Sequence, residues 1–165
     1  MATSMKNLSD YNPDIIPSAT GMQFGIVVSE WNHEITGLLL KGVMDTLSRH
    51  HAHKNHITVK HVPGSFELTS GAKMLADTGR FDGIICIGCI IRGETPHFDY
   101  ICQGVTQGIT WLNLQYRIPF IFGVLTVNTL QQAKDRAGGK YGNKGDEAAI
   151  TAIKMVSLRK EISKQ

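Results

Sequence analysis

Three short, almost purely apolar runs and one that alternates constrain this chain more than any other feature. They are FGIVVS (24–29), HITVKHV (56–62), GIICIGCII (83–91) and PFIFGVLTV (119–127). The second alternates Ile57, Val59 and His61, while the third is apolar throughout. Runs of this length, rich in β-branched residues, suit strands covered on both faces, as in a parallel sheet. Helical segments separate them. Asn32 opens one carrying Ile35, Leu38, Leu39, Val43 and Leu47, and Ser65 opens one carrying Leu68, Ala72, Leu75 and Ala76. Thr95 caps a third, with Pro96 at its first position and Ile101, Val105, Ile109 and Leu112 on its apolar face. Thr129 and Gln132 form a capping box for a short helix ending near Gly138-Gly139. A last helix follows Gly145, with Ala149, Ala152, Ile153 and Val156 inward and Lys154, Arg159 and Lys160 outward. Alternating strands and helices imply right-handed crossovers and a parallel sheet with helices on both faces. Residues 1–22 are polar, contain Pro13 and Pro17 and lack periodicity. They read as an extended arm outside the core, with residues 23–165 as one α/β domain.

Composition narrows the functional classes. Seventeen Lys/Arg oppose fourteen Asp/Glu, a net charge of +3 without blocks of one sign, which argues against a dedicated nucleic-acid binder. No stretch approaches the roughly 18 apolar residues of a membrane span. The first residues lack a basic segment followed by an apolar core, so no secretory signal is expected and a soluble cytoplasmic protein is. That makes the Asn7-Leu8-Ser9 sequon irrelevant. Three cysteines do not make a disulfide framework.

Several motifs invite sharper readings and lose them. Cys86 and Cys89 form a CxxC, but inside a strand their spacing sends them to opposite faces. They read as small buried hydrophobes. His50, His51, His53 and His56 match no paired metal-ligand spacing and suit a solvated helix end. The Gly-rich stretch 138–145 has no Gly-Lys pair followed by Ser or Thr, so it is not a nucleotide loop. Its backbone amides and Lys144 could still cup an anion. No GxGxxG follows the first run and no GxSxG occurs.

The chemistry concentrates in Arg92-Gly93-Glu94-Thr95-Pro96-His97-Phe98-Asp99-Tyr100, just past the third strand. Open α/β sheets place ligands at such strand ends. His97 falls in the first turn of the next helix, where an imidazole is able to take and return a proton. Two further strand ends carry an aromatic each, Trp31 and Phe66, suited to a planar ligand.

VVSEWN, VPGSFELTSGAK, GCIIRGETPHFDYIC, PFIFGVLT and QQAKDRAGGKYGNKG occur in this order over residues 22–160. Together they resemble the 6,7-dimethyl-8-ribityllumazine synthase family. The resemblance implies a flavodoxin-like three-layer α/β/α sandwich with a four-stranded parallel sheet, assembled into pentamers; the N-terminal arm either adds to a neighbour's sheet or stays loose. It implies a transferase of riboflavin biosynthesis condensing 5-amino-6-(D-ribitylamino)uracil with 3,4-dihydroxy-2-butanone 4-phosphate, releasing phosphate and water, with no metal or organic cofactor. The family's stacking aromatic falls on Trp31, where Phe is commoner. Pyrimidine and ribityl contacts fall on Ser65, Phe66, Glu67, Cys89, Ile90 and Ile91. Glu94 and Thr95 match positions meeting the butanone phosphate, and His97 the proton-transfer residue. Phe122, Arg136 and Lys144 match residues supplied by a neighbouring subunit, with Arg136 suited to bind phosphate bidentately. The compact 136–145 stretch resembles members forming sixty-subunit icosahedral shells of twelve pentamers, a state in which riboflavin synthase is a conceivable partner. The competing readings are a non-catalytic flavin or lumazine carrier, a structural cage and a flavodoxin-like electron carrier. The turn SEWNHE lacks the phosphate-wrapping loop the last would need.

Overall fold

The computed structural model describes residue 7 and residues 9–164. β1 (Phe24–Ser29), β2 (Ile57–Val62), β3 (Gly83–Ile91) and β4 (Phe120–Val127) form one all-parallel sheet in the order β2-β1-β3-β4. The helices are α1 (His33–Arg49), α2 (Leu68–Ala76), α3 (His97–Gln115), α4 (Leu130–Asp135) and α5 (Lys144–Ile162). A small antiparallel hairpin, β5 (Ala137–Gly139) with β6 (Gly142–Asn143), joins α4 to α5.

Two buried clusters sit on opposite faces of the sheet. One unites Ile26, Ile85, Ile87 and Leu125 with Leu39, Val43 and Leu47 of α1 and Ala149, Ile153 and Val156 of α5. The other unites Val27, Ile84, Cys86 and Val124 with Leu68 and Leu75 of α2 and Val105, Ile109 and Leu112 of α3. The fold is thus the three-layer sandwich expected. Cys86 and Cys89 fall in different clusters, as strand alternation requires. Burial pushes both thiols up to about 12, so neither is a nucleophile near neutral pH.

Several expectations need correction. The N-terminal segment is not wholly outside the core: Ile16, Ala19 and Met22 are buried in the α1–α5 cluster. Their apolar side chains were masked by the polar residues around them. Pairing of the arm with a neighbour's sheet also involves residues 1–6 and 8, which lie outside the described residues. Leu38 is exposed rather than inward. Ser65 and Thr95 do not cap; the cap positions are Glu67 and Pro96, without side-chain bonds. Thr129 does cap, accepting Gln132 N–H at 3.2 Å, but Gln132 Oε1 reaches Asn128 N–H rather than closing the box on Thr129. Arg159 and Lys160 turn inward to Asp82, at 2.6 and 3.2 Å, and Asp82 also accepts Gln23 N–H. In the Gly-rich hairpin, Tyr141, Asn143, Lys144 and Gly145 donate to Asp135 O, Ser9 Oγ, Arg136 O and Asn143 Oδ1. Lys144 pairs with Glu147. Amides committed in this way leave no ready anion cup.

The histidine cluster also differs from a solvated helix end, because His50 is only 7% exposed. Its Nε2 lies 3.2 Å from the Tyr11 hydroxyl, and its carbonyl accepts Ala19 N–H at 2.7 Å. Burial, then the charges of Arg49 and His51, hold its imidazole below the usual 6.5. The unfolded chain therefore takes up the proton more readily. This stability contribution is complete above about pH 6.5 and is lost as pH falls through the folded-state value. Wild-type thermal midpoints should therefore drop between about pH 7 and pH 5 by more than those of His50→Gln. Parallel pH profiles for the two proteins would remove His50 from the acid response.

Candidate active site

The strand order creates a crevice before any side chain is considered. The chain leaving β1 enters α1 on one face, whereas the chain leaving neighbouring β3 enters α3 on the other. The two connections diverge, and a gap opens beyond the carboxyl ends of the strands. A cleft of about 610 Å³ occupies this place.

Backbone stitching fixes the walls. Past β1, Glu30 N–H donates to Val62 O at 2.8 Å and Trp31 N–H to Pro63 O at 3.1 Å, tying this turn to the end of β2. Asn32 takes a left-handed conformation (φ 60°), and its Nδ2 donates to Cys89 O at 2.9 Å. The side chain expected to cap α1 thus ties it to β3 instead. Asn is among the few residues that adopt this conformation at modest cost. Gly88 matters for the opposite wall. A Cβ there would meet Ser65 Oγ at 2.8 Å and Leu68 Cδ1 at 2.9 Å. Its missing side chain lets the Ser65 turn approach β3.

These turns hold two aromatics at the cleft, with Trp31 73% and Phe66 58% exposed. Rings of that size left in water but fixed at their backbones can cover a planar ligand. Among the described residues the Ser65 and Phe66 amides have no hydrogen-bond partner, so they remain open to a polar ligand edge. Cys89, Ile90 and Ile91, the last residues of β3, form an apolar wall. Glu67, Thr95 and His97 complete it with polar groups, His97 as the first residue of α3.

Nine of the thirteen expected residues therefore line one cleft: Trp31, Ser65, Phe66, Glu67, Cys89, Ile90, Ile91, Thr95 and His97. Glu94 is exposed between two lining residues without lining it itself. Phe122, Arg136 and Lys144 do not join them. Phe122 and Lys144 line a second cleft of about 280 Å³ at the open edge of β4, between α3 and α5. Arg136 lines neither; its Nη1 donates to Gln132 O at 3.1 Å and its guanidinium lies 5.0 Å from the Tyr141 ring. Asn32, Phe98 and Ile101 line the main cleft without having been expected there. Helical spacing from His97 could have indicated Ile101, four residues on and so on the same face. Nothing local could have indicated that Asn32 reaches β3. Among the described residues no group of three or more His, Cys, Asp or Glu side chains is placed to hold a metal, and no helix is long and apolar enough to cross a membrane.

The family model described as 6,7-dimethyl-8-ribityllumazine synthase matches residues 21–160. A protein of that name from Parabacteroides distasonis is 62% identical over 158 residues, covering 96% of this chain and 99% of the relative. Another from Phocaeicola vulgatus is 56% identical over 164 residues, covering 99% and 98% respectively. One from Porphyromonas gingivalis is 56% identical over 160 residues, covering 97% and 99%. With the matching motifs at the strand ends and the fold they require, the chain belongs to the 6,7-dimethyl-8-ribityllumazine synthase family.

Proposed function

We propose that the protein is a 6,7-dimethyl-8-ribityllumazine synthase, a transferase of riboflavin biosynthesis. It joins 5-amino-6-(D-ribitylamino)uracil to 3,4-dihydroxy-2-butanone 4-phosphate, releasing phosphate and water. The observation carrying this reading is the convergence of Trp31, Phe66 and His97 on one cleft in a chain 62% identical to a protein of that name.

The residues suit the reaction. Trp31 and Phe66 supply faces for the pyrimidine, and the free Ser65 and Phe66 amides supply donors for its polar edge. Cys89, Ile90 and Ile91 form a wall for the ribityl chain, with Glu67 able to accept from its hydroxyls. Condensing the amine with the ketone, eliminating phosphate and closing the ring are proton transfers between two held substrates. His97 is the cleft's imidazole and serves as the proton carrier. The loop bearing Glu94 and Thr95 meets the phosphate. Glu94 has the wrong charge for that contact, so the loop's backbone amides and the Thr95 hydroxyl make it.

No guanidinium lines this cleft, and a phosphate held by amides and a hydroxyl is bound more strongly when a cation joins them. Arg136, Lys144 and Phe122 lie apart in the chain, which supports their contribution from a neighbouring copy. Large exposed apolar side chains support self-association: Trp111 and Leu114 on α3, Phe122 on β4 and Met155 on α5. The assembly proposed is a cytoplasmic pentamer, twelve of which close into a shell able to associate with riboflavin synthase. The compact β5–β6 hairpin between α4 and α5 supports the closed shell.

Mixing the two substrates with the protein should generate lumazine absorbance, and His97→Ala should slow turnover about 10- to 100-fold. Tight flavin binding without turnover would replace the enzyme by a carrier. Arg136→Ala should raise the KM for the butanone phosphate. Co-assembled His97→Ala and Arg136→Ala chains should exceed either variant alone, because some sites then receive both intact halves. No gain would place each site within one chain. Light scattering should give the mass of sixty chains; five chains under all buffers would rule out the shell.

A further inference from the structure

We infer that Arg92 is a positioning residue that holds the first turn of α3, and with it His97, in register with the cleft. The inference rests on the catalytic reading of His97 just given. Arg92 follows the last residue of β3, and its N–H donates to Val127 O at 2.9 Å, extending the β3–β4 pairing by one residue. Its backbone is therefore part of the sheet. Its side chain crosses the following loop and holds three elements together. Nη2 donates to Asp99 Oδ1 at 2.8 Å and Nη1 to Asp99 Oδ2 at 3.3 Å, a two-pronged contact with the first turn of α3. Nε donates to Asn128 Oδ1 at 3.2 Å, just past β4. The guanidinium carbon lies 4.2 Å from the centre of the Phe98 ring.

That turn needs such support. Among the described residues, Gly93, Glu94 and Thr95 make no hydrogen bond, and all three are exposed. The cap position of α3 is Pro96, which has no side-chain cap. His97 and Phe98 line the cleft and are separated from β3 by this slack loop; Phe98 packs on the α2–α3 cluster, and Arg92 adds the directional polar tie that orients the turn against the sheet. A planar fork can make the paired, stacked and sideways contacts at once, whereas a lysine ammonium cannot. Arg92 and Asp99 side chains are 44% and 50% exposed, and ion pairs this open add little to global stability. Losing the pair should therefore cost geometry more than folding. With Nε and both Nη groups engaged and its face on Phe98, Arg92 is also not poised to bind the substrate phosphate.

Arg92→Lys, Arg92→Ala, Asp99→Asn and the double variant Arg92→Ala/Asp99→Asn are compared with wild type in the full assembled protein. Readouts are kcat, the KM of each substrate and the thermal midpoint. Each single variant should lose at least about tenfold in kcat, since small misplacement of a reacting group is costly. KM for the phosphate substrate and the thermal midpoint should remain near wild type. The double variant should be no worse than the worse single variant, because both changes break one contact. Arg92→Asp combined with Asp99→Arg should recover part of the loss. Wild-type kcat in Arg92→Lys, multiplying losses in the double variant, or a change in phosphate-substrate KM alone would overturn the positioning role. A wild type without turnover, or an unaffected His97→Ala, would instead overturn the reading beneath it.

Discussion

β3 pairs with β1 over Gly83–Ile87 and with β4 over Ile84–Ile91, and its side chains alternate between two cores. Ile85, Ile87 and Cys89 pack toward α1 and α5, and Ile84, Cys86 and Ile90 toward α2 and α3. A central strand buried on both faces cannot shift register by one residue without exchanging every side chain between the two cores. Its far end runs on beyond β1, held by β4 on one side and by the Asn32 side chain on the other. Cys89, Ile90 and Ile91 form a wall of the cleft, Arg92 reaches α3 from it, and Asn32 anchors to it. The precision available to the site comes from the strand that holds the layers together.

The same constraint explains why so much could be read from the residues. A strand covered twice must be apolar throughout, so 24–29, 83–91 and 119–127 stand out against the amphipathic segments between them. The cleft is equally legible, since polar and aromatic residues immediately after such strands have few structural reasons to be there. Trp31, Phe66 and His97 are all of this kind.

What escaped is what depends on contacts distant in sequence. Ile16, Ala19 and Met22 are apolar residues within a polar segment, and only the space beside α1 gives them a core to enter. His50 looked like one of four solvated histidines until Tyr11 and Ala19 came to lie on it. Arg159 and Lys160 looked like outward charges because their partner, Asp82, lies far back in the chain. Asn32 and Ser65 were read as caps because local hydrogen bonding favours that role, and tertiary bonding assigned Asn32 another. Phe122, Arg136 and Lys144 are identifiable only by resemblance, because nothing within a single chain gathers them at the cleft.

The placement of α5 bears on how the protein is made. Ala149, Ala152, Ile153 and Val156 cover one face of the sheet together with α1, and Arg159 and Lys160 fasten the helix to Asp82. Those residues follow all four strands of the sheet in the chain, so they emerge from the ribosome after the strands they cover. Until they do, Ile26, Ile85, Ile87 and Leu125 lack part of their cover, and the partly made chain presents a sticky apolar strip beside α1. The sheet is therefore made before its cover is complete, and a chain cut before residue 150 would be an aggregation-prone fragment instead of a smaller working domain.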